Sequence, residues 1–120
     1  MTTQNDFEWL RSTNIEIGNA ETQGNKEFFE TLLAPCLAFR RANGQILDRP
    51  NFIAGVSPSA KRTTNIQSIT VLEKNRALIE CTFTMEDDGG AKRFHNVRLF
   101  VREGESNQWM LLGWANEPII

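Results

Sequence analysis

The side chains in this 120-residue chain best placed to do chemistry lie in FHNVRLF, residues 94–100. Phe94, Val97, Leu99 and Phe100 need an apolar surface, yet Asn96 and Arg98 stand two apart among them. On an extended strand, residues two apart share a face. If that face looks into a pocket, an amide and a guanidinium point into it together. The guanidinium would favour a carboxylate or a similar anion through paired hydrogen bonds.

Other chemistries are poorly supported. His95 is the single histidine, whereas zinc and non-haem iron sites usually draw on several His or Cys ligands. No nucleophile motif such as G-x-S-x-G accompanies it, and no glycine loop is built to hold phosphate. No metal or other cofactor is therefore expected. Cys36 and Cys81 are the only cysteines and have neither metal nor redox spacing. Cys81 reads as a small buried hydrophobe with no neighbouring base to activate it.

The charge pattern narrows the partners. Thirteen basic and fifteen acidic residues are intermixed, for a net charge of -2, so no basic stripe tracks a nucleic acid backbone. No apolar run approaches the roughly 20 residues of a membrane span, and MTTQNDFEWL lacks the pattern of a secretory leader. A reduced cytoplasmic protein that binds neither nucleic acid nor membrane is expected. Length and composition fit one globular domain over residues 1–120.

The elements that must position Asn96 and Arg98 follow from periodicity. Ile15, Ile17 and Ala20, then Phe28, Phe29, Leu32 and Leu33, recur at helical spacing, and Gly24-Asn25 divides two helices. Asn25 can cap the second helix, and Pro35 should end it. CLAFRRANG predicts a strand near residues 36–42 that ends in an Asn43-Gly44 turn. Asp48 can cap a short helix with Pro50 in its first turn. From Ile66 onward the chain alternates as strands, with EDDGGA and EGESN as turns and Pro118 ending the pairing. Helices first and long strands last predict an α+β domain with helices on one face of an antiparallel sheet.

This order resembles the nuclear transport factor 2-like superfamily, which includes ketosteroid isomerases, scytalone dehydratase and SnoaL-like polyketide cyclases. FHNVRLFVREGESNQWMLLGWANE carries most of the likeness, and its "RLFVR … W.LLGWANE" ending is shared by many bacterial members of uncharacterised function. LLAPCLAFRRANG resembles their first strand. The resemblance implies a cone-shaped, cystatin-like fold: a curved antiparallel sheet whose concave face is covered by the N-terminal helices around a pocket. Steroid isomerase chemistry does not carry over. Counting back three residues from Gly44, to where those enzymes place their aspartate base, gives Arg41, and the chain has no tyrosine for the oxyanion hole. Asn96 falls where their second oxyanion donor stands and can also donate a hydrogen bond.

By the same alignment, the inward set is Phe94, Asn96, Arg98 and Phe100, with Met110, Leu112 and Trp114 on the last strand. Ile79, Cys81, Phe83 and Met85 join from the preceding strand, and Leu37, Phe39 and Arg41 from the first. The expected ligand-binding residues are Asn96, Arg98, Trp114, Arg41, Cys81 and Phe83, around a small apolar or anionic ligand. Each has a plainer alternative. Asn96 would satisfy backbone groups, Arg98 would pair with Glu80 or Glu117, Arg41 would be solvated, and Trp114 would be core. His95 should face outward.

Val97, Leu99, Val101, Trp109 and Leu111 are expected on the outer face, where a homodimer would bury them. Three functions remain open: a small-molecule-binding protein, an isomerase, dehydratase or cyclase acting on an apolar carbonyl compound, and an interaction module without a ligand.

Overall fold

A computed structural model describes residues 4–87, 89–104 and 107–119. The first helix, α1 (Gln4–Gln23), starts well before the apolar pattern at Ile15. Its buried stripe is Leu10, Asn14, Ile17 and Ala20, while Ile15 is exposed. Gly24 ends it in the left-handed region at φ +70°, and Pro58 packs so close that a side chain there would clash. The second helix, α2 (Lys26–Leu32), is capped as expected: Asn25 Oδ1 accepts the Phe28 N–H at 3.2 Å.

Proline 35 does not terminate this helix. The chain is extended by Leu33, and Pro35 lies inside the first strand, β1 (Leu33–Arg40). It sits where pairing is irregular, so its missing N–H costs little. A turn closed by Gly44 N–H to Arg41 O leads to β2 (Ile46–Asp48). Asp48 then caps α3 (Arg49–Ala54) by accepting the Asn51 N–H at 3.1 Å.

The long strands are β3 (Arg62–Leu72), β4 (Arg76–Asp87), β5 (Gly90–Val101) and β6 (Met110–Pro118). All six form one curved sheet in the order β2-β1-β6-β5-β4-β3. It is antiparallel except where β1 runs parallel to β6. Pairing extends to Pro118 itself, and the Ile119 N–H donates to Arg93 O. The EDDGGA and EGESN turns include Asp88, Glu105 and Ser106, which lie outside the described residues. Helical Leu10, Ile17, Phe29 and Phe52 meet Phe39, Ile79, Phe100 and Trp114 from the sheet in one core, which makes the fold α+β. No helix among the described residues is long and apolar enough to cross a membrane.

One irregularity rearranges the expected faces. Leu99 pairs with Gly113, but Phe100 pairs with Leu111, so β6 carries an extra residue at Leu112. Beyond the bulge the alternation is inverted. Trp109 and Leu111 are therefore buried in the core rather than outward, and Met110 and Leu112 are only half-buried. The two cannot belong to an outer contact surface.

Candidate functional site

Asn96 and Arg98 point to the helix-covered side of the sheet, as their cross-strand partners Cys81 and Ile79 also do. His95, on the other parity, lies 2.8 Å from Glu80. Arg98 is 1% exposed, so its guanidinium has left water almost entirely. Its Nη1 donates to both Asn14 O and Asn14 Oδ1 at 3.2 Å, and its Nη2 donates to Asn96 Oδ1 at 3.2 Å. Trp114 Nε1–H donates to the same Asn96 oxygen at 2.6 Å, and the guanidinium lies 5.0 Å from the Trp114 ring centroid. Burial pulls the arginine below its ordinary pKa range.

The pairing of Arg98 with Glu80 or Glu117 is thus replaced. Glu80 meets His95, Glu117 meets Arg40 at 2.6 Å, and Arg98 is held by amide oxygens. Trp114 stacks among Phe39, Phe52 and Phe29, with centroids 4.6, 5.3 and 6.4 Å away. Cys81 is fully buried, and desolvation raises its thiol pKa, so the neutral thiol persists.

A cavity of about 410 Å³ opens beside this cluster. Phe39, Phe52, Phe83, Phe94 and Met85 supply its apolar wall, and Phe83 and Phe94 stack at 4.9 Å. Of the six expected ligand-binding residues, Arg41 and Phe83 line it, whereas Asn96, Arg98, Trp114 and Cys81 are buried outside its lining. Asn116 connects the two regions: it lines the cavity and its Oδ1 accepts from Asn96 Nδ2 at 3.2 Å.

Two charged lining residues were not singled out from sequence. Glu21 continues the buried stripe of α1 one turn beyond Ile17, and Arg62 opens β3. Arg62 Nη2 and Glu21 Oε2 are 3.6 Å apart, with side chains 13% and 16% exposed. Arg62 also donates from Nη1 to Ser59 Oγ at 2.7 Å, and its guanidinium lies 5.5 Å from the Phe83 ring centroid. Among the described residues, Glu21 Oε1 and Arg62 Nε nevertheless find no hydrogen-bond partner, and neither do the buried Arg98 Nε and Trp109 Nε1. Burial raises the Glu21 carboxyl pKa, and the charges of Arg62 and Arg98 oppose that rise. The stripe Leu10-Asn14-Ile17-Glu21, spaced four, three and four, could have marked Glu21. Nothing in the loop before Arg62 marks that residue.

With this geometry in hand, likeness to known proteins bears on the fold. No protein-family model matches the chain, and no curated protein matches it. Among solved structures, a domain of unknown function with a cystatin-like fold from Nostoc punctiforme PCC 73102 superposes with a TM-score of 0.85 at 16% identity, covering 99% of this chain and 80% of that one. A nuclear transport factor 2-like protein of unknown function from Silicibacter pomeroyi DSS-3 gives 0.77 at 18% identity, covering 99% and 100%. The CaMKII hub of S. rosetta gives 0.70 at 16% identity, covering 92% and 94%. The chain therefore has the cystatin-like, nuclear transport factor 2-like α+β fold. At such identities the likeness speaks for architecture and for nothing more particular.

Proposed function

We propose that this protein binds a small molecule in the aromatic-walled cavity. The supporting observation is the cavity itself: about 410 Å³ of open space whose walls join several phenylalanines to a few polar groups. Ligand sites commonly have this size and make-up. In this reading Phe83 and Arg41 touch the ligand. Asn96, Arg98, Trp114 and Cys81 form the rigid ground beneath it and act by holding the wall in place.

The test uses a neutral apolar fluorophore, N-phenyl-1-naphthylamine. Its emission should rise on binding the wild-type protein and stay low with Val56→Trp, which fills part of the cavity from its lining. No enhancement with wild type, or an equal one with Val56→Trp, would overturn the reading.

A second property rests on the opposite face. Leu78, Val97, Leu99 and Val101 alternate with the buried residues of β4 and β5, and Leu78 is 41% exposed. We propose that a homodimer covers this face, and the likeness to a hub domain supports self-association. Sedimentation velocity should show a dimer that Leu99→Lys converts to monomer. A wild-type monomer at every concentration would exclude the dimer.

A further inference from the structure

We infer that Glu21 and Arg62 form a proton-coupled carboxylate site, in which Arg62 and a neutral, hydrogen-bond-donating Glu21 together hold a monocarboxylate with an aromatic or cyclic apolar body. This rests on the cavity being a binding site. It adds which ligand class the cavity takes and what accompanies binding.

Three observations carry it. First, the Glu21–Arg62 pair is unfinished. A well-formed ion pair brings nitrogen and oxygen to about 2.7–2.9 Å. Here they stand 3.6 Å apart, and each partner keeps a buried polar atom without a partner, Glu21 Oε1 and Arg62 Nε. Unsatisfied buried groups are uncommon and costly; Arg98 Nε and Trp109 Nε1 share this state, but of the four residues only Glu21 and Arg62 line the cavity.

Second, the charge of the lining is unbalanced. Two guanidiniums, Arg41 and Arg62, stand against one carboxyl, Glu21. Besides Arg41, from the turn after β1, the charged and titratable groups around Glu21 come from the sheet. Arg62 comes from β3, Cys81 from β4 and Arg98 from β5, and the last is a cation with no carboxylate among its hydrogen-bond partners. A monoanion fits this field, and a cationic ligand does not.

Third, a carboxylate cannot sit beside an ionised Glu21 without strong like-charge repulsion. A neutral Glu21 removes the repulsion and turns an acceptor into an O–H donor. The burial that already disfavours the ionised form works in the same direction. Wherever Glu21 is ionised in the free protein, a proton therefore enters from solvent with the ligand. Phe83 and Phe94 provide the flat apolar surface for the rest of the ligand.

Isothermal titration calorimetry with 2-naphthoate, and with uncharged 2-naphthamide as control, tests the inference. Wild-type protein should bind naphthoate more tightly than naphthamide. Naphthoate affinity should fall as pH rises from 5.5 to 8, by up to about tenfold per pH unit for a one-proton coupling. Heats measured in buffers of different ionisation enthalpy should show proton uptake that grows toward one as pH rises and Glu21 ionises in the free protein. Glu21→Gln should keep naphthoate binding and lose the pH dependence, because the amide donates at every pH. Arg62→Met should weaken naphthoate at least tenfold and leave naphthamide nearly unchanged. The inference falls, with the cavity reading intact, if naphthamide binds as well as naphthoate, if affinity is independent of pH, or if Glu21→Gln abolishes binding. If neither compound nor the neutral fluorophore binds, the cavity reading fails and takes this inference with it.

Discussion

Arg98 and Arg62 are both arginines on the covered side of the same sheet, and their surroundings differ sharply. Arg98 spends its two terminal nitrogens on Asn14 and Asn96 and lies against Trp114, outside the cavity lining, although its Nε too is buried without a partner. Arg62 stands at a cavity wall in a loose pair and shares an unfinished set of hydrogen bonds with Glu21. Burial of a polar group does not by itself mark function. A buried cation whose partners converge on it organises a core, whereas unsatisfied groups beside a cavity leave something for a ligand to complete. The comparison puts the proposed ligand site at the neighbouring wall rather than at the Asn96–Arg98 pair.

The most severe way to break this comparison is to remove the closed cluster. Arg98→Ala should cost about 3–5 kcal/mol in urea unfolding, because it strips the donor from Asn14 Oδ1, leaves Asn96 Oδ1 with Trp114 alone and empties a large buried volume against the Trp114 ring. Trp114→Ala should cost a similar ~3–5 kcal/mol through lost packing. The double variant should cost clearly less than the sum, since both residues share the Asn96 oxygen and stack on each other. Strict additivity, or an Arg98→Ala cost under about 1 kcal/mol, would show that the cluster is not the structural unit described.

Much of this arrangement was legible in the sequence, and the failures have identifiable physics. Asn25 and Asp48 were found as helix caps because capping depends on one side chain and a backbone three residues away. Two-residue alternation puts Asn96 and Arg98 on one face, and the family resemblance is what assigns that face to the covered side, where both are buried. The bulge at Leu112 was not legible. WMLLGW is apolar at both parities, so either face could have been the buried one, and only pairing with β5 decides. Trp109 and Leu111 were misplaced for that reason. The parallel pairing of β1 with β6 is likewise a contact between chain ends that no local pattern encodes. Glu21 lies outside the Ile15, Ile17 and Ala20 pattern that marks the first helix, and a charge at the end of a helical stripe ordinarily reads as solvated.

A smaller effect sharpens the comparison from the other side. Arg62→Met should change stability by about 1 kcal/mol or less, well below Arg98→Ala. The loose pair contributes little Coulomb energy, and a Glu21 left without its cation can take up a proton instead of remaining a bare buried charge. Urea denaturation of both variants under one set of conditions checks the ranking. An Arg62→Met cost equal to that of Arg98→Ala would make the cavity wall as structural as the closed cluster.

The smallest expected effect is the most diagnostic, because its sign is fixed by linkage. The Glu21 carboxyl has a folded-state pKa above its unfolded value of about 4.3. Between those two values the folded protein holds a proton that the unfolded chain has released. Stability must therefore fall as pH rises through that window. Ordinary carboxylates with lowered pKa values would do the reverse. Glu21→Gln removes the titration, so the variant should gain stability relative to wild type at pH 7 and lose the advantage near pH 4. Thermal unfolding midpoints of the two proteins, measured from pH 4 to 8, check this directly. A difference that does not vary with pH would mean that burial at this wall is too shallow to hold a proton on Glu21. A difference that shrinks as pH rises would mean that Arg62 and Arg98 outweigh desolvation, so that the carboxyl stands ready as an anion.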